Sequence, residues 1–174
     1  MKIKLPLIIL ITASAAFIAI KKIKDNKFHI KSYDGKFSML FSKDWKLSEN
    51  KNELNENSNL EAINNKKGVC IIMFSKSKNE LGNITLEEYN NIILSSIEGE
   101  NIISLKNIKF NNKEIYSAQF NSYYKNMPVN YILYALETEN YYHQFMAALI
   151  GGSKKNKYLN NILSTIKELQ SKNK

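Results

Sequence analysis

Between residues 102 and 150 the chain reads as four strands in succession, and no other feature constrains its fold as tightly. The runs are 102–110, 114–124, 129–137 and 141–150. They are joined by Asn111-Asn112-Lys113, Lys125-Asn126-Met127-Pro128 and Thr138-Glu139-Asn140. Parallel neighbours need a crossover of about a dozen residues, so links this short predict an antiparallel meander. Within 129–137, Val129, Tyr131, Leu133 and Ala135 alternate with Asn130, Ile132, Tyr134 and Leu136. Both faces are largely apolar, so the centre of the sheet must be covered on both sides.

The rest of the chain supplies candidates for that cover. Phe37 to Phe41 alternates as a strand after the turn signal Asp34-Gly35. Residues 48–59 are polar and predict a solvated loop, Leu60 to Asn64 a short strand, and Gly68 to Ser75 a central one. A helix should begin at Thr85, because Thr85 and Glu88 have capping-box spacing and Ile84 and Tyr89 that of a hydrophobic staple. Its apolar face is Leu86, Tyr89, Ile93 and Ile97, and Gly99 is placed to end it. A second helix is expected near Lys155 to Gln170, with a stripe of Tyr158, Leu159, Ile162, Leu163, Ile166 and Leu169, set off by Gly151-Gly152. The expected class is α+β: an antiparallel sheet of about six strands between helices, an α/β/α sandwich, with a hydrophobic helix before it.

That preceding helix is expected from the first residues. A short basic start, Lys2 and Lys4, leads into an uncharged run of 16 residues from Leu5 to Ile20, which closes on Lys21-Lys22-Ile23-Lys24. Membrane spans usually need about 20 residues and signal-peptide cores about 7–15, so the run falls between the two. Snorkelling lysines would let Ile3 and Ile23 extend it. Cleavage after Ala13-x-Ala15 would cut inside the apolar run and leave Phe17-Ile18-Ala19-Ile20 as a new start. A retained single-pass signal anchor is therefore the expectation for residues 1–27, tether included. Its lipid-facing side chains would include Leu5, Leu7, Ile8, Ile9, Leu10, Ile11, Phe17, Ile18 and Ile20. Secretion after cleavage is the alternative. Lysines flank both sides, and the richer second flank favours a cytoplasmic domain by the positive-inside rule. Short basic heads commonly translocate the chain behind them, and the domain at 28–174 is expected outside the cell membrane. Lipid attachment needs a cysteine just after the run, and the only cysteine is Cys70.

The net charge of +9 also belongs to the ends. Residues 1–27 and 153–174 each hold six lysines and one acid, while 28–152 hold 13 lysines against 14 acids. All 25 basic residues are lysine. Without arginine the chain lacks the usual bidentate reader of guanine and phosphate, so no nucleic-acid partner is expected.

Chemistry-bearing motifs are not found. His29 and His143 are far apart, without the spacing of a metal site, and Gly151-Gly152-Ser153-Lys154 lacks that of a phosphate loop. His143 alternates with Tyr141 and Phe145 as a packed or hydrogen-bonded sheet histidine would. Glu87 and Glu88 suit the first turn of a helix. Cys70, inside Val69-Cys70-Ile71-Ile72-Met73-Phe74, reads as a core residue. No catalytic residue, metal or cofactor is expected. The best candidate for a partner-binding surface is aromatic: Tyr123, Tyr124, Tyr131, Tyr134, Tyr141 and Tyr142 fall on three consecutive strands. Adjacent tyrosines point to opposite faces, so at most one of each adjacent pair can share a patch.

Asp34-Gly35-x-Phe37-Ser38-x-x-Phe41-Ser42-x-x-Trp45 resembles the opening motif of the PsbP-like and DcrB-like proteins. Thr85-Leu86-Glu87-Glu88-Tyr89, the short hairpins, Tyr141-Tyr142 and the closing amphipathic helix come in the same order, so the resemblance spans roughly 30–170. It departs where Ser42 replaces a usual proline and Asn111-Asn112 a usual asparagine-glycine turn. The resemblance implies an antiparallel sheet between helices and a protein that binds or stabilises partners without a shared active site. Together these readings point to a non-catalytic binding or accessory module at the bacterial envelope, held by its membrane helix and meeting another envelope protein. The alternative is a small-molecule or lipid carrier with a pocket between sheet and C-terminal helix.

Overall fold

The computed structural model describes residues 27–48, 53–97, 99–110, 113–124, 126–150 and 156–169. The expected N-terminal helix lies outside them. Among the described residues no helix is long and apolar enough to cross a membrane.

The four strands of the meander form as the pattern dictates. They are β6 (Asn101–Phe110), β7 (Lys113–Tyr124), β8 (Met127–Glu137) and β9 (Tyr141–Ile150), after β1 (Phe28–Lys31), β2 (Phe37–Phe41), β3 (Lys46–Leu47), β4 (Leu60–Asn64) and β5 (Val69–Ser77). All neighbours are antiparallel, and seven strands make one sheet in the order β3-β4-β5-β9-β8-β7-β6. At the β7–β8 hairpin Asn126 takes φ 64°, a left-handed conformation that asparagine tolerates better than most residues.

One face of this sheet carries α1 (Leu86–Ser95). The capping box is present: Glu88 N–H donates to Thr85 Oγ1 at 3.1 Å, and Thr85 N–H to Glu88 Oε2 at 2.7 Å. Leu86, Tyr89, Ile93 and Ile97 are buried on Ile72, Ala118, Leu133, Tyr142 and Met146. Tyr89 stacks on Tyr142 with ring centroids 4.9 Å apart, and the Tyr142 hydroxyl donates to the carbonyl of Ile84. The helix stops at Ser95 with Ser96 as its cap; Gly99, at φ 96°, lies beyond it in the link to β6. Thr85→Ala removes the acceptor for the Glu88 N–H and should cost about 1 kcal/mol, read from the shift in urea midpoint.

The other face corrects two expectations. Its cover is a second sheet of three strands, β1-β2-β10, together with α2 (Asn156–Leu163), instead of helices alone. Among the described residues the fold therefore has ten strands in two sheets where about six in one were expected. The second helix does not continue to Gln170. Ser164 and Thr165 turn their hydroxyls back onto the carbonyls of Asn161 and Ile162, at 2.8 and 2.6 Å. Thr165 Oγ1 also accepts the Leu40 N–H at 2.8 Å, and the chain runs on as β10 (Lys167–Glu168) beside β2. Satisfying the open edge of β2 takes precedence over the helical stripe. Leu159, Ile162, Leu163 and Ile166 are still buried, in one cluster with Ile30, Phe37, Met39, Phe41, Phe145 and Leu149.

Candidate functional site

The six tyrosines do not gather into one surface. Tyr131, Tyr134 and Tyr142 are buried, Tyr141 is half-buried and Tyr123 is exposed; the Tyr124 side chain lies outside the described residues. The period of two explains this: Tyr131 and Tyr142 face α1, and Tyr134 faces the small sheet. Tyr123 and Tyr141 sit at opposite ends of the large sheet, since β7 runs out at the β7–β8 hairpin while β9 begins at the β8–β9 turn.

The described polar groups converge instead at the end of the sandwich holding the β8–β9 turn. His143 is buried, with Phe37 edge-on to its ring at 5.2 Å. Its Nδ1 lies 2.7 Å from Ser75 Oγ and its Nε2 2.9 Å from Thr138 Oγ1. Glu168 of β10 accepts from the Thr138 hydroxyl, from the Asn140 N–H at 2.7 Å and from Asn140 Nδ2 at 2.8 Å. A carboxylate only accepts, so the Thr138 proton points to Glu168 and Thr138 Oγ1 takes the Nε2 proton of His143. The Ser75 hydroxyl then donates to Nδ1. The chain of donors is Ser75 to His143 to Thr138 to Glu168.

The order is that of a hydroxyl, an imidazole and an orienting acid, but its electrostatics suit a brace. Burial pushes His143 down to about 3, and Lys113 and Lys78 push the same way against Glu168 and Asp34. The imidazole is neutral at pH 7 and a weak base. Partial burial raises Glu168, yet its bonds from Thr138 and Asn140 outweigh this and hold it below the usual carboxylate range. The network ties β10 to the large sheet. Sequence reading placed His143 as a hydrogen-bonded sheet residue but missed Ser75, Thr138 and Glu168, which no spacing links.

Near it, Asp34 accepts from Ser32 Oγ at 2.6 Å and from Asn59 Nδ2 at 3.2 Å, and Lys36 Nζ lies 5.4 Å from the centre of the Tyr141 ring. Among the described residues no group of three His, Cys, Asp or Glu side chains could hold a metal ion. Burial raises the Cys70 thiol to about 12, so it stays protonated and unreactive. Where a carrier would need an apolar pocket, between the sheet and α2, Leu159 and Leu163 are packed into the core.

Comparison with protein-family models finds no match, and neither does comparison with curated protein sequences. Solved structures do match, and they show the PsbP-like fold. Cyanobacterial PsbP (CyanoP) of Synechocystis sp. PCC 6803 is similar at TM-score 0.53 and 7% identity, over 91% of this chain and 99% of that one. LpqN of Mycobacterium tuberculosis, described as involved in cell envelope biogenesis, is similar at TM-score 0.50 and 6% identity, over 83% and 91%. A protein of Bacteroides thetaiotaomicron VPI-5482 reaches TM-score 0.57 and 13% identity over 86% of this chain, which spans 50% of its length.

Proposed function

We propose that the chain is a membrane-tethered, extracytoplasmic domain acting as a non-catalytic binding or accessory module at the bacterial cell envelope. The observation that carries this reading is a juxtaposition. A PsbP-like domain, the fold shared with CyanoP and the envelope-biogenesis protein LpqN, begins at Phe28, directly after a basic–apolar–basic segment of anchor type. The two layers enclose a braced core, so activity would reside in surfaces that meet another envelope protein.

The reading predicts that the full chain fractionates with membranes and resists carbonate extraction. Protease added to intact spheroplasts should digest the domain without lysis. Digestion only after lysis would place the domain inside the cell, and release by carbonate would remove the anchor.

A further inference from the structure

The two ends of the sandwich differ sharply in chemistry. One holds the β8–β9 turn and the end of β5, with Ser77, Lys78, Thr138, Glu139 and Asn140. At the other, strand register brings together the β4–β5 and β7–β8 hairpins, the start of β6 and the end of β9. Of the eight exposed large hydrophobic side chains among the described residues, five stand at this second end: Ile102, Ile103, Tyr123, Met127 and Ile150. Phe28 makes a sixth. It pairs with Phe41 at the end of β2, and Asp44, three residues on, holds Lys66 of the β4–β5 hairpin at 2.7 Å. A β-bulge contributes to the cluster. The register of β6 shifts between Ile102 and Ser104, which leaves Ile103 without a partner residue on β7 and breaks the strict alternation beside Ile102.

Exposure at this end ranges from 38% at Phe28 to 76% at Tyr123, at hairpin tips and strand ends where folding alone gives no reason for large apolar side chains. Lys43, Lys46, Lys66 and Lys67 lie around the same end, against Asp44 and Glu100. Tyrosine beside aliphatic side chains, flanked by lysines on the β3–β5 side, is the composition of a surface that sits at a lipid headgroup layer. The position of the chain's entry selects lipid over a protein partner. Phe28 is the first strand residue after the 16-residue apolar run, and residues 21–27 between them span at most about 25 Å, so a bilayer holding that run would be within reach of this end.

We propose that this end of the domain is a membrane-docking surface, with Tyr123, Met127, Ile102 and Ile103 seated in the interface of an anionic bilayer. The inference rests on the tether reading and deepens it. The domain stands end-on on its membrane and presents the opposite end, with the β8–β9 turn, to the aqueous side.

The test uses the full chain with Cys70→Ala, reconstituted in nanodiscs of phosphatidylethanolamine and phosphatidylglycerol. An environment-sensitive dye is placed at Tyr123→Cys, at Met127→Cys, or at Glu139→Cys on the far end. Nitroxide-bearing lipid should quench the dye several-fold more strongly at 123 and 127 than at 139. Equal, water-like emission at all three positions in a disc-bound chain would overturn the docking surface and leave the tether standing. A chain not retained by the discs would remove the tether and the inference with it. Shielding at 123 that tracks protein concentration and ignores the lipid nitroxide would assign the surface to a second copy, which also overturns the proposal.

Discussion

Phe145→Ala should lower the unfolding free energy of the domain by about 3–5 kcal/mol. Phe145 is wholly buried on β9, the fourth of seven strands, where no edge can relax into a vacated space. Its ring stands edge-on to Tyr134 at 6.0 Å and belongs to the cluster shared by the large sheet, β2 and α2. Truncation removes the transfer energy of the ring and leaves a cavity that three elements would have to move together to fill. Urea unfolding of the chain provides the measurement; the described members of both core clusters lie between Ile30 and Ile166. Leu105→Ala, at an exposed site on β6, should stay within about 0.5 kcal/mol and serves as the control. A Phe145→Ala loss no larger than that of Leu105→Ala would refute the packing described.

Acid should destabilise the domain well before its carboxylates are protonated. His143 is held neutral in the folded state down to about 3, against an ordinary value of 6.5. Below pH 6.5 the unfolded chain binds a proton at this site that the folded chain does not. The stability it contributes is therefore complete above 6.5 and is lost as pH falls towards 3. The slope approaches about 1.4 kcal/mol per pH unit. Glu168, lowered from its ordinary 4.5, acts in the same direction further down: its contribution is present above 4.5 and lost as pH falls through the folded value. Between pH 6.5 and 5 the histidine dominates, and the only other one, His29, is exposed. Urea midpoints at pH 7, 6 and 5 should fall progressively for the natural sequence. In His143→Gln, which cannot titrate, they should be nearly level whatever its absolute stability. A parallel fall in both would show that the imidazole is not held neutral.

The meander was legible because alternation, short links and paired apolar faces are local properties. Strands β6 to β9 appear within a few residues of their expected bounds, and the capping box at Thr85 identified α1 before any contact was known. The small sheet was not legible. Its third strand has two residues, and its partner lies more than 120 positions away, as the Leu40–Thr165 bond shows. Nothing local marks Lys167-Glu168 as strand, whereas the stripe through Ile166 and Leu169 extends a helix. The tyrosines misled for a related reason. Alternation says that two neighbours point oppositely, but which face meets α1, which meets β2 and which reaches a hairpin tip depends on layers that single strands do not encode. The apolar end was hidden too, because Phe28, Ile102, Tyr123 and Ile150 become neighbours only through antiparallel register.

The placement of β10 also sets when the domain can be completed. The second layer closes only when Lys167 and Glu168 reach β2 and the Thr138–Asn140 turn, so residues 167 and 168 must be synthesised before this edge of β2 is paired. Contacts of such long range are made late and slowly. Until residues 167 and 168 have been made and have found β2, that strand offers an unpaired backbone edge to whatever binds extended segments.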